Sequence, residues 1–356
     1  MSIVKLARPE IAAQHPYEAA VQIDDTIRLN ANEAPRSTDN TGFRRPLNRS
    51  PEVRPAKLQE ALAARFGCRP EQLLVTRGSS EAIDLVIRSF CRAGQDSVLV
   101  TKPSFSMYWH YAAVQGAPVI EVPTLAERDF AIDIDDILAA CNASTRVIFV
   151  CSPNNPTGTT LPRAELERLL DARGDRSAIV VDEAYVEFGG GDSVTSLLDR
   201  FDNLLVLRTL SKALGFAGAR CGAVAGPAEV IRMLNAVQAP YALATPVIEC
   251  VEDALQSAQL DDARGLVEQT INERTRVSEA LGAFPFVQHV WPSDANFVLV
   301  RTSATEDIMR HCKARKVLLR HFGGDLDDCI RITIGSPEEN DVLLRALEDF
   351  EDAQNA

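Results

Sequence analysis

The stretch LLVLRTLSKALGFAGARCG, residues 204–222, decides the reading of this chain. Its apolar opening, 204–207, has the length and composition of a buried strand. The run stops at Arg208, Thr209, Leu210, Ser211 and Lys212. A small-residue segment follows, with Gly215, Gly218, Arg220 and Gly222. A lysine at the exit of a buried strand can be desolvated, which lowers its pKa and makes its amine a nucleophile. The hydroxyls of Thr209 and Ser211 and the guanidinium of Arg220 can hold a phosphate beside it. An isolated lysine in such a place is more often a solvated residue starting a helix, so the rest of the chain must supply the other parts of a site.

The 356 residues are 46% hydrophobic and 24% charged, ordinary globular composition with enough length for two lobes. A net charge of −13 disfavours nucleic acid and anionic membrane as partners. The 8 cysteines form no C-x-x-C pair, so neither a zinc ribbon nor a redox motif is expected, and no metal site. Cys91 and Cys151 sit in apolar runs and read as reduced core residues, which fits the cytoplasm. No signal-like apolar region opens the chain and no run is long enough to span a bilayer.

Apolar runs at 72–76, 97–101, 118–122, 146–151, 178–181 and 204–207 read as strands. Between them 58–66, 81–91, 108–115 and a segment opened by Pro162 at its first helical position read as helices. This alternation predicts an α/β fold with a mostly parallel sheet covered on both faces. Beyond about 245 the pattern changes to a long helix over 261–281, strands at 295–300, 317–319 and 329–334, and helices at 306–314 and 339–350. The expected division is a large lobe, 30–245, and a small α+β lobe, 246–356, to which an N-terminal arm, 1–29, returns.

Ligands of such sheets sit at the carboxyl ends of the strands. That rule gathers Gly78–Ser79–Ser80, the turn 154–158, Asp182 to Tyr185 and Thr209 to Lys212 in one place. Each has a chemical reason to be there, and together they point to pyridoxal phosphate on a Schiff-base lysine. Asp182 can keep a pyridine nitrogen protonated, although a helix N-cap is a common role for such an Asp. Asn155 and Tyr185 can bond the ring oxygen, against turn chemistry and plain packing. Gly78, Ser79 and Ser80 open a helix, where N–H groups favour a phosphate. Phe105 follows a strand and a proline and can stack on the ring or simply fill core. In the small lobe, alternation puts Ile330, Ile332 and Ile334 on one face and Arg331 and Thr333 on the other. Arg331 is there either an anion clamp or an edge residue, and Arg320 shares the ambiguity.

LNANEAP at 29–35, LNRSPEVRPAKL at 47–58, TRGSSEAI at 76–83, CSPNNPTG at 151–158, VVDEAYVEF at 180–188, RTLSKALGFAGARCG at 208–222 and IRITIG at 330–335 come in one order along the chain. In these segments the chain resembles the fold-type I pyridoxal-phosphate aminotransferases. HPYEAA at 15–20, LNANEAP, APYALATPV and LRHFGG favour the histidinol-phosphate branch. The resemblance implies that Lys212 carries the Schiff base and shuttles the proton, and that Asp182 pairs with the pyridine nitrogen. It puts Asn155 and Tyr185 on the ring oxygen and Phe105 over the ring, where the family often has tyrosine. Ser79, Ser80, Ser211 and Arg220 would hold the cofactor phosphate, beside Gly78 and Thr209. Arg331 would bind the substrate's acidic group, helped by Arg320, Tyr17 and Asn32. The implied reaction moves an amino group between histidinol phosphate and 2-oxoglutarate, giving imidazole acetol phosphate and glutamate, and runs in reverse in histidine biosynthesis.

One step departs from the family pattern. Where the family usually has R-Y-P, with a tyrosine reaching across a homodimer interface to the neighbour's cofactor phosphate, this chain has Arg49–Ser50–Pro51. A serine there reaches much less far. Alternatives on the same scaffold are an aromatic amino acid aminotransferase and a phosphothreonine-type decarboxylase. A cofactor-binding protein without turnover is disfavoured by the presence of the lysine, the aspartate and both arginines. A nicotinamide enzyme is disfavoured because no G-x-G-x-x-G follows an early strand.

Overall fold

The computed structural model describes residues 2–17, 22, 28–38 and 42–355, so parts of HPYEAA and of the arm 1–29 lie outside it. In chain order the described residues form α1 (Pro9–Ala12), α2 (Ala56–Phe66), β1 (Leu73–Thr76), α3 (Gly78–Phe90), β2 (Ser97–Lys102) and α4 (Met107–Gln115). Next come β3 (Val119–Pro123), α5 (Ile134–Ala140), β4 (Thr145–Cys151), α6 (Arg163–Arg173), β5 (Ala178–Asp182) and β6 (Leu204–Thr209). Then follow β7 (Gly222–Ala225), α7 (Ala228–Val237), α8 (Thr245–Ala254), α9 (Ser257–Gly282) and β8 (Val287–Val290). Last are β9 (Phe297–Thr302), α10 (Thr305–Ala314), β10 (Arg320–Gly323), β11 (Leu326–Thr333) and α11 (Pro337–Asn355).

The large sheet has seven strands in the order β1-β7-β6-β5-β4-β2-β3. Five strands, β2 to β6, run parallel, with β3 at the edge, and β7 alone runs against its neighbours. Alternate residues of each central strand feed opposite cores. In β6, Leu204 and Val206 join the α2, α6 and α8 side, and Leu205 and Leu207 join the α3, α4 and α7 side. Both faces are apolar, so the strands carry no polar alternation, and each fully buried Leu or Ile contributes about 1.5–3 kcal/mol. Gly67, at φ 71°, caps the end of α2.

The small lobe is an antiparallel sheet, β10-β11-β9-β8. Ile330 and Ile332 pack with Val277, Ile308 and Leu347 of the covering helices. Arg331 therefore faces the other side, toward the large lobe.

Four expectations need correction. Residues 317–319 are not a strand: Leu318 is 79% exposed, and pairing begins at Arg320, opposite Arg331. Pro162 is the N-cap of α6 and not its first residue, with an extended φ/ψ of −59°/138°. The helix expected over 81–91 starts at Gly78, so the phosphate-type turn is already the first turn of α3. The described start of the arm packs on the large lobe and not on the small one: Ile3 is fully buried in the large-lobe core, and Arg8 N–H donates to Ser89 O at 2.9 Å. α8 and the start of α9 add Ile248, Val251 and Ala263 to the large-lobe core, so the small lobe's own core begins at Val277.

Candidate active site

The sheet brings its chemistry to the carboxyl ends of β4, β5 and β6. A cavity of about 580 Å³ opens there between the lobes. Of the candidate residues, Ser79, Ser80, Phe105, Asn155, Asp182, Tyr185, Thr209, Ser211, Lys212, Arg220, Arg320 and Arg331 all line it. Lys212 projects into the cavity from the loop after β6, with Nζ 5.6 Å from the Tyr185 ring centre. Withdrawal from bulk water lowers its pKa, and the cationic Arg331 and Arg220 add to that, with Asp182 opposing.

Asp182 ends β5 and is 2% exposed. Burial raises its pKa to about 6, against hydrogen bonds from the Tyr108 hydroxyl at 2.9 Å and the Ala184 N–H at 3.2 Å. It forms no close ion pair with a described residue, although the more distant Lys212 charge also favours its ionised form. A buried carboxylate without a cation is costly, and a protonated ring nitrogen would supply that cation.

The phosphate side is built from backbone and hydroxyls. Gly78 has φ 72°, and a Cβ there would lie 2.7 Å from an Arg220 guanidinium nitrogen. The glycine thus permits both the turn and the arginine's approach. The first N–H groups of α3 lack helical partners, and the hydroxyls of Ser79 and Ser80 bond to no described residue. Arg220 donates to the Ser211 hydroxyl at 3.4 Å and to Ala217 O at 3.1 Å, and Thr209 Oγ1 bonds Ser211 Oγ at 3.0 Å. This donor set, beside a lysine and a buried carboxylate, fits pyridoxal phosphate.

The small lobe supplies the remaining wall. Arg331 donates to Asn155 Oδ1 and lies 5.1 Å from the Phe297 ring centre and 5.4 Å from that of Phe322. Its Nε is buried without a partner among the described residues. Burial lowers its pKa, Tyr185 opposes, and Arg320 lowers it further. Arg320 lies 5.2 Å from the Phe322 ring centre. Burial raises the Tyr185 pKa well above the usual phenol value.

Three candidates do not line this cavity: Gly78 sits behind it against Arg220, and Tyr17 and Asn32 lie outside it. Tyr17 is 54% exposed and meets Tyr241 edge-on at 6.2 Å, and Asn32 is exposed at φ 54°. Sequence reasoning missed Tyr108 and Phe322. Tyr108 stands three residues after Phe105, and their rings meet edge-on at 5.8 Å. Phe322 stands two residues after Arg320 along β10 and so shares its face, the period-two signal that could have found it.

Residues 23–347 match the family described as aminotransferase class I and II. The histidinol-phosphate aminotransferase of Xylella fastidiosa is 40% identical over 98% of this chain and 97% of its own length. That of Aeromonas salmonicida is 40% identical over 98% of this chain and 99% of its own. The solved histidinol-phosphate aminotransferase of Sinorhizobium meliloti, in complex with pyridoxal-5'-phosphate, shares the fold with a TM-score of 0.76 at 22% identity. It covers 86% of this chain and 84% of its own. This chain belongs to the class I and II aminotransferases and is a pyridoxal-phosphate-dependent transaminase.

Proposed function

We propose that this transaminase moves an amino group between histidinol phosphate and 2-oxoglutarate, giving imidazole acetol phosphate and glutamate, with the reverse direction serving histidine biosynthesis. The observation that carries this reading is end-to-end similarity, at 40% identity, to enzymes named for histidinol phosphate. Arg331 and Arg320 support it, since they share a cavity with Lys212 and the site must take a phosphate and a dicarboxylate in turn.

The bound cofactor supplies an electron sink for the carbon that loses its proton. Asp182 would hold the proton on the ring nitrogen, and Asn155 and Tyr185 would bond the ring oxygen. Phe105 would pack against the ring. Ser79, Ser80, Ser211, Arg220 and the first N–H groups of α3 would hold the phosphate. Lys212, less basic than a free lysine, takes the α-proton and returns it during transfer. Arg331, with Arg320, fixes the substrate's anionic end and so orients the α-carbon toward Lys212. Tyr17 and Asn32 remain proposed helpers that would have to move inward from their exposed positions.

A homodimer in the cytoplasm completes the proposal. No described helix is long and apolar enough to cross a membrane. Ser50 N–H donates to Glu33 Oε1 at 2.8 Å, and Glu33 pairs with Arg28 and Arg49, which fixes the loop that would cross to the partner. Product analysis tests the function: the protein with histidinol phosphate and 2-oxoglutarate should form glutamate and imidazole acetol phosphate in equal amounts. Release of carbon dioxide from a phosphorylated amino acid, or transfer from aromatic amino acids alone, would move the substrate assignment.

A further inference from the structure

We infer that the end of the large sheet opposite the active site carries a second pocket, which binds a small phosphate-type dianion. A cavity of about 550 Å³ lies where residues 3–6 cross the loop after α5, the start of β4 and the end of α6. Lys5, Arg146, Arg173 and Arg176 line it, against a single carboxylate, Asp175.

The charges do not balance internally. Lys5 pairs with Asp175, and Arg146 pairs with Asp96 at 3.2 Å. Arg173 and Arg176 have no carboxylate partner among the described residues. The carboxyl ends of helices attract cations, and Arg176 answers the Ala172 carbonyl at the end of α6, while Arg146 answers that of Ala143 in the loop after α5. Arg173 goes beyond that need.

It is 7% exposed, and its Nε and Nη2 both donate to the neutral Ser177 hydroxyl, at 3.1 and 2.7 Å. That hydroxyl in turn donates to Thr145 O at 2.6 Å, so it brings no negative charge. The third nitrogen, Nη1, bonds to no described residue, and the side chain lines the cavity. Burial lowers the Arg173 pKa, Cys141 opposes, and Arg176 and Arg146 lower it further. A buried guanidinium without a counter-charge is costly, and an anion in the cavity would relieve it. The positive surplus is two charges even with Asp96 counted, in a chain whose net charge is −13. A tetrahedral dianion matches both that charge and the forked donors of two guanidiniums.

Titration calorimetry on the cofactor-loaded protein tests this, with inorganic phosphate as the probe. Wild type should show two binding events. R331A should lose the one at the active site and keep the other. In the R331A background, R176E should weaken the remaining event at least about tenfold, because a charge-assisted contact becomes a repulsion. R176E lies on the exposed surface and should leave the cofactor spectrum and turnover unchanged. R173M, with folding checked by circular dichroism, should abolish the event. Undiminished phosphate binding in R331A/R176E, or the absence of any event beyond the one R331A removes, would overturn the assignment.

Discussion

Tyr108→Phe isolates the least visible part of the site. The substitution removes one of two hydrogen bonds on the Asp182 carboxylate and leaves only the Ala184 N–H. Phenylalanine keeps the stack on Phe149, whose ring centre lies 4.6 Å away, so the fold should persist. A hydrogen bond to a charged group is worth about 1.5–3 kcal/mol, and one pKa unit is about 1.4 kcal/mol. Asp182 should therefore rise by about one to two units from its value of about 6. Its folded pKa exceeds the ordinary 3.8, so in the cofactor-free protein its protonated form favours folding. That contribution is full below 3.8 and is lost as pH rises through about 6. Cofactor binding has the opposite sign, because the ionised carboxylate is the form that pairs with a protonated ring nitrogen. Cofactor affinity of the wild-type apoprotein should climb as pH passes about 6, and in Y108F the climb should come at about 7–8. Fluorescence titration of apoprotein with pyridoxal phosphate across pH measures both midpoints. An unmoved midpoint, or one moved downward, would refute the reasoning.

Lys212→Ala should abolish turnover while circular dichroism and thermal unfolding stay near wild type; substantial residual transamination would remove Lys212 from its role. Gly78→Ala places a Cβ 2.7 Å from an Arg220 nitrogen at φ 72°, so cofactor affinity should fall at least tenfold, by about 1.4 kcal/mol or more, in equilibrium dialysis. Arg331→Lys loses the planar fork, so KM should rise by about tenfold or more for both substrates, with a smaller change in kcat. Sedimentation should give twice the chain mass of 38.9 kDa, and Ser50→Tyr should tighten cofactor binding in that dimer only.

Most of the large lobe was legible because its strands are short apolar runs closed by turn residues. The site was legible for the same reason: SPNNPTG, DEAY and TLSK each follow a strand that ends at one edge of the sheet. β7 escaped because GAVA is short and small-residued, and its antiparallel course depends on a reversal through Arg220 at φ 51°. Residues 317–319 misled because Val317, Leu318 and Leu319 have strand composition, yet cross-strand pairing begins at the polar Arg320 and His321. α8 was hidden by its opening Thr245–Pro246, which reads as a break. The Tyr108–Asp182 hydrogen bond spans 74 positions and could be seen only when α4 and β5 were placed side by side.

The visible spectrum of the cofactor-loaded protein before and after histidinol phosphate is added alone reports directly on the proposed half-reaction. The cofactor's long-wavelength band should convert to that of its amino form, with no amino acceptor present. A band that ignores histidinol phosphate but responds to aromatic amino acids or to a phosphorylated amino acid would contradict it.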